Sequence, residues 1–451
     1  MTDQLPPGPR APRVAQTADW YAFPYAFFER CRRRYGATFT TRLLSMPPTV
    51  MLTRPDDVRQ MYTAPPEDLH PGEGMRLIEP LVGANSLILL DEAPHLRQRK
   101  LLLPAFHGER LRGILAALDD VVESGVAAWP RDRPISIHER ARHLTLDVIL
   151  RAAMGLRPGP RLDAFRHAIA RFLELGMRPT ASLPATRRNL GPLSAWPRFA
   201  EARAELDALI FGFIEERAAG MGADSAPADD VLGLLLTARD EEGAPMSRQE
   251  LRDELLTLLV AGHETTATAL AWTFERLAVN GDARAVLVSR LDRGEAGEYP
   301  SAVVHESMRQ RPVIAVTGLR LVKQPVEIGG RGYEPGCGMT ANAYLLHHDE
   351  AIYPEPYAFR PERFLERRPG TYAWIPFGGG IRRCIGAALA LAEMEAVLRH
   401  VFTRFEVRFA RTRPHRPVRR NITVSPRGGV QITLTARRRG GRRRTAMIEN
   451  A

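Results

Sequence analysis

From Ser247 to Val279 the chain runs for roughly thirty residues with helical apolar spacing and without a proline. Ser247-Arg248-Gln249-Glu250 opens this run as a capping box, in which serine and glutamate each satisfy a free backbone N–H at the helix start. A helix of that length spans on the order of 45 Å, enough to cross a whole molecule of this size. The remaining elements must therefore pack around it. At its middle stands Ala261-Gly262-His263-Glu264-Thr265-Thr266. The small residues Ala261 and Gly262 leave room for a cofactor or substrate against the backbone. A threonine hydroxyl here can bond back to the carbonyl one turn earlier and bend the helix. Glu264 and Thr265 are expected to face one pocket as an acid and an alcohol, and His263 is expected to be packed or solvated rather than a ligand.

A second segment, FGGGIRRCIG at 377–386, sets Cys384 on a glycine-hinged loop. Gly378, Gly379 and Gly380 permit backbone angles closed to other residues, so the chain can pass close to a flat, bulky partner. The run IGAALALAEMEAVLRHVF that follows has helical spacing and brings a helix N-terminus near the sulfur, with Arg382 and Arg383 beside it. Both features favour the thiolate. A lone thiolate with space for a planar macrocycle suits an oxygen-activating heme iron, because thiolate donation favours O–O cleavage.

The rest of the chain supplies context. An aromatic helical stretch, WYAFPYAFFERCRRRYG, precedes strand-like TFTTRLL and PTVMLT, so a small sheet is expected near the N-terminus. From about residue 94 to 280 the signal is helix after helix, with loops expected at 177–198 and 218–230. Strand-like pieces return at GLRLV, PVEIGG, NITVSP and GVQITLTA. These patterns predict a mainly α fold with small β-sheets. They divide the chain into a flexible proline-rich lead-in at 1–17, one domain over 18–435 and a basic, disordered tail at 436–451.

Only three cysteines occur, Cys31, Cys337 and Cys384, without CxxC or CxxCH spacing. A disulfide framework, a zinc knuckle and covalent heme attachment are disfavoured. The net charge of +11 is carried almost wholly by arginine, scattered and without a nucleic-acid motif, so nucleic acid is not expected as a partner. The N-terminus, MTDQLPPGPRAPR, has no apolar run for a signal peptide or membrane anchor. A soluble, cytoplasmic protein is expected.

The 377–386 segment resembles the heme-binding signature of the cytochrome P450 family at Phe377, Gly380, Arg382, Cys384 and Gly386. Three further segments resemble that family in the same order, and together they span most of the chain. Ala261–Thr266 is similar to its oxygen-binding helix motif, in which Glu264 would relay protons from solvent and Thr265 would hold oxygen or a water. Glu306 and Arg309, joined by Arg363 from Pro361-Glu362-Arg363-Phe364, resemble its buried structural charge cluster. His95 and Arg99 resemble the histidine and arginine that hold heme propionates, and Arg382 and Arg320 would complete that set.

The resemblance implies the cytochrome P450 fold and heme b (iron protoporphyrin IX) ligated by Cys384. It implies a monomeric, soluble bacterial-type monooxygenase that inserts one oxygen atom of O2 into an apolar small molecule of fatty acid, terpenoid, steroid or polyketide type. The sequence carries no flavin or iron–sulfur motif, so electrons would come from a separate ferredoxin and ferredoxin reductase. Substrate contacts would come from 66–88 and 165–215, with Met75, Leu77, Ile78, Leu81, Val82, Leu175 and Met177 suggesting an apolar pocket. Two alternatives stay open: a peroxygenase, isomerase or dehydratase on the same scaffold, and a non-catalytic heme-binding protein.

Overall fold

The computed structural model of the protein describes residues 5–176, 196–220, 230–420 and 422–437. The aromatic opening stretch forms two helices, α1 (Arg13–Ala22) and α2 (Ala26–Tyr35), parted around Pro24, whose ring disfavours helical geometry in the residue before it. Short strands follow as β1 (Thr38–Thr41), β2 (Thr49–Leu52), β3 (Leu69–His70), β4 (Pro134–Ser136), β5 (Arg320–Val322), β6 (Val326–Ile328), β7 (Arg331–Tyr333), β8 (Gly338–Ala341), β9 (Phe405–Phe409), β10 (Pro417–Arg420), β11 (Thr423–Pro426) and β12 (Gln431–Ala436). The largest sheet has the order β1-β2-β8-β5-β3. Within it β2 runs parallel to β8, Thr49 opposite Gly338, while the other pairs are antiparallel. This sheet places Arg320 on the same scaffold as the N-terminal strands.

The helices that position the site are α3 (Pro55–Thr63), α4 (Glu92–Leu102), α5 (Gly108–Ala127), α6 (Ile137–Met154), α7 (Pro160–Gly176), α8 (Trp196–Ala219), α9 (Arg248–Val279), α10 (Tyr299–Gln310) and α11 (Ala387–Arg404). The long helix is thus α9, and both bonds of the Ser247–Glu250 capping box form. Its residues from Leu251 to Leu259 and from Thr266 to Ala278 are buried on every face, as expected of a helix at the centre of a core. The burial breaks only around Val260–Thr265, where Ala261 is exposed. α6 lies along α9, and α8, α10 and α11 also pack on it. Trp272 is fully buried and donates its indole N–H to the Val424 carbonyl at 2.7 Å, tying α9 to β11.

Some boundaries differ from the sequence expectation. The described part of the 1–17 lead-in, expected to be flexible, packs on β1: Pro7 O accepts from Thr40 N–H at 3.0 Å, and buried Gln16 donates to Pro9 O and Ala11 O. Residues 13–17 belong to α1, whose buried polar bonds outweigh the local signal of proline. Residues 196–198, expected as loop, open α8. The remainder of the 177–198 loop, most of the 218–230 loop and the tail beyond Arg437 lie outside the described residues.

Candidate active site

The 377–386 loop passes over Tyr62 at the end of α3. Gly378 (φ 70°) and Gly380 (φ 62°) adopt left-handed backbone angles, and a Cβ on Gly380 would stand 2.4 Å from the Tyr62 carbonyl oxygen. Only glycine fits there. The Cys384 N–H donates to Phe377 O at 2.9 Å and closes the loop ahead of α11. Cys31 and Cys337 are buried in the apolar core, whereas Cys384 is exposed. Its thiol is nevertheless pushed up by burial, against the Gly386 N–H, Arg99 and Arg383, which pull it down. Exposure and desolvation are compatible if the sulfur opens onto a recess inside the fold rather than bulk water. The expected pull toward the thiolate is present, but desolvation outweighs it. A bound metal ion reverses that balance, because a coordinating thiol gives up its proton.

A basic edge adjoins the loop. His95 on α4 is buried and held at about 3 by desolvation, then by Arg382 and Arg99, so it is neutral. Arg382 falls to about 10 through burial and through Arg320 and Arg99, with Asp91 opposing. Arg320 is buried, stacks over the Tyr62 ring at 4.7 Å and is likewise lowered by desolvation. Arg99 donates to Arg383 O at 3.0 Å and feels the Cys384 sulfur. His95, Arg99, Arg320 and Arg382 are thus brought together. Arg382 is committed more deeply than expected: it donates to Leu87 O at 3.2 Å and to Leu90 O, and pairs with Asp91 at 2.8 Å.

On α9 the acid and the alcohol diverge. Neighbouring residues on a helix point about 100° apart, and Glu264 turns toward α6. There it pairs with His138 Nε2 at 3.2 Å and Arg142 Nε at 2.9 Å. Burial raises its carboxyl, but His138 and Arg142 outweigh that and hold it below the usual range. The Thr265 hydroxyl donates to Ala261 O at 2.5 Å, the predicted one-turn back-bond. Gly262 also departs from expectation. A Cβ there would come within 3.0 Å of Ile149, so its smallness serves the contact between α9 and α6, and Ala261 alone provides the open backbone. His263 is buried, bonds Thr145 at 3.1 Å, and is held at about 4 by desolvation, in line with a packed histidine.

The charge cluster forms as expected. Arg309 meets Glu306 at 2.7 and 2.8 Å, and Arg363 reaches the same carboxylate at 3.2 Å. Of the apolar candidates, Leu81, Val82 and Leu175 are buried, Met75 and Ile78 are partly buried, Leu77 is 44% exposed, and Met177 lies outside the described residues. Sequence reasoning passed over His138 and Arg142, the partners of Glu264, and Tyr62 beneath the glycine loop. It also passed over Asp253 and Glu254, buried acids whose only signal was charge inside an apolar helix.

These residues fit a heme. Cys384, exposed where the other two cysteines are buried, and beside it a buried basic edge opposed by Asp91, match an iron ligand and two propionates, whereas Gly379 and Gly380, expected to make room for a flat partner, are drawn tight against Tyr62 instead. Among the described residues no cluster of histidine, cysteine, aspartate and glutamate could hold a separate metal ion, and no helix is long and apolar enough to cross a membrane.

Comparison with known proteins gives a consistent picture. The profile of the family described as Cytochrome P450 matches residues 6–434. The chain is 36% identical to the protein designated cytochrome P450 137 of Mycobacterium tuberculosis, over 95% of this chain and 90% of that protein. It is also 36% identical to the protein designated cytochrome P450 138 of Mycobacterium bovis, over 96% and 97% of the two. Among solved structures it is similar in fold to the heme domain of cytochrome P450DA, with TM-score 0.83 and 23% identity over 96% and 98% of the chains. Retinoic acid-bound cyanobacterial CYP120A1 gives TM-score 0.82 and 24% identity over 96% and 99%.

Proposed function

The chain belongs to the cytochrome P450 family and is a heme-dependent monooxygenase, and we propose that Cys384 is its iron ligand and an apolar small molecule its substrate. The observation that carries this is that Cys384 is exposed beside the four-residue basic edge, while the other two cysteines are buried in the core. When bound, heme supplies the iron at which O2 is activated, with thiolate donation favouring O–O cleavage. Arg99 and Arg320 would donate to its propionates, with His95 as a neutral donor and Arg382 contributing from the loop.

The remaining work falls to α9. Ala261 leaves the backbone open for oxygen and substrate. Thr265 Oγ, now donating to Ala261 O, would turn its proton toward the oxygen site, and Glu264, kept ionised by His138 and Arg142, would take up and pass on protons from the α6 side. The substrate would be of fatty acid, terpenoid, steroid or polyketide type, met by apolar side chains of the 66–88 segment. Electrons would arrive from a separate ferredoxin with its reductase. Arg383, exposed one residue before Cys384, and the net charge of +11 suit an acidic carrier.

The test is the absorption spectrum of the reduced protein under carbon monoxide. A Soret band far to the red of a histidine-ligated heme is expected, lost in Cys384→Ser and kept in Cys31→Ala and Cys337→Ala. Loss in either control, or retention in Cys384→Ser, would refute the assignment.

A further inference from the structure

Leu87 is gripped from both sides. Its N–H donates to Glu254 Oε1 on α9 at 2.8 Å, and its carbonyl accepts from Arg382 of the cysteine loop at 3.2 Å. The residues around it are tied to the same two elements. Asn85 donates its N–H and Nδ2 to Asp253 Oδ2 at 3.0 and 2.9 Å, and Thr257 Oγ donates to Ser86 Oγ at 2.6 Å. Gly83 (φ 89°) lies so close to Asp253 that a Cβ would stand 2.2 Å from its Oδ1. Downstream, Arg382 also takes Leu90 O and Asp91. Glu254 lies about two turns before Ala261 on α9, and Arg382 lies two residues before Cys384.

We propose that Glu254 is a positioning residue, which by accepting the Leu87 N–H makes the segment Gly83–Asp91 a strut that sets the register between α9 and the Cys384 loop. Any group carried by the loop and any group carried by the helix must act across this spacing. The strut is short, backbone-linked and bonded at both ends. Glu254 is fully buried, and its Oε2 has no hydrogen-bond partner among the described residues. Desolvation, then Asp253 and Glu250, push its carboxyl up to about 8 against the pull of the Leu87 N–H. Glu254 therefore acts near neutrality as an uncharged acceptor, a part that an amide oxygen can also play.

That distinction sets the experiment, made on the heme-loaded enzyme. Amide exchange of the peptide spanning residues 84–91 is measured by mass spectrometry, beside product formed per electron pair consumed. In Glu254→Leu, exchange is expected to rise about tenfold, the loss of one buried hydrogen bond, and coupling to fall, while the carbon monoxide spectrum keeps its thiolate form. Glu254→Gln is expected to retain both wild-type values. Unchanged exchange in Glu254→Leu, or a Gln variant that behaves like Leu, overturns the proposal. Should Glu254→Leu not fold, Glu254→Asp withdraws the carboxyl by one methylene and tests the same bond. The coupling readout rests on the assignment of Cys384 and Thr265, but the exchange readout does not, so failure of that assignment shows in the spectrum alone.

Discussion

Glu306 and Arg309 form a two-point ion pair in which neither side chain has any solvent exposure. The arginine's remaining donors reach His347 O at 2.6 Å and Pro356 O at 2.8 Å, and the glutamate also accepts from Arg360 N at 3.0 Å. One helical turn of α10 thereby fastens the chain that leads into the cysteine loop.

Removing Glu306 leaves Arg309 buried without its carboxylate, and removing Arg309 leaves buried Glu306 with only the longer ion pair to Arg363. Glu306→Ala or Arg309→Ala is expected to cost about 3–5 kcal/mol, read as a lower denaturant midpoint and early loss of heme. Arg309→Lys, which cannot make the fork, is expected to lose most of that amount as well. A variant with wild-type stability would mean that the cluster is dispensable.

Thr265→Ala removes the hydroxyl that bonds the Ala261 carbonyl. Heme content and ligand-induced spectral shifts should stay near wild type, while product per electron pair falls roughly tenfold or more and hydrogen peroxide accounts for the missing electrons. Fully coupled turnover would remove Thr265 from proton handling.

Glu393 on α11 is buried, and burial alone raises its carboxyl to about 8. The folded chain thus keeps a proton that the unfolded chain releases above the ordinary carboxylate range. Stability is lost through this group as pH rises from about 4.5 toward 8, by up to about 1.4 kcal/mol per pH unit, and is level above that. The difference in unfolding free energy between wild type and Glu393→Gln should follow this slope between pH 5 and 8. A pH-independent difference would show that Glu393 is ionised in the fold.

The proposed electron delivery from an acidic ferredoxin is expected to slow about tenfold between low and high salt, because exposed charges more than a Debye length apart are screened. Stopped-flow reduction across a salt series measures it. A salt-independent rate would exclude electrostatic docking.

Much of this was legible in the sequence because it is local. The capping box fixed the start of α9, alternation marked β1 and β2, and three glycines marked the loop over Tyr62. What escaped depends on partners distant in the chain. Glu264 faces His138 and Arg142 rather than the side of α9 that Thr265 takes, a consequence of the 100° step between neighbours and of where α6 lies. Gly262 serves Ile149 for the same reason. Arg252, Asp253 and Glu254 are ionisable side chains inside a buried helix, made tolerable by Asp207, Asn85 and Leu87, all distant along the chain. The protonation of Cys384 turns on desolvation, which no short motif encodes.

The parallel pairing of β2 with β8 carries a consequence for biosynthesis. The hairpin of β1 and β2 is made early, but its partner strand Gly338–Ala341 is translated only after the helices α1 to α10. Until then β2 presents an unpaired edge of Val50, Met51 and Leu52, open to strands of other nascent chains. The ribosome-bound intermediate is therefore most vulnerable to aggregation at its N-terminal hairpin, and sheet closure, which also seats Arg320, is a late event in the maturation of the enzyme.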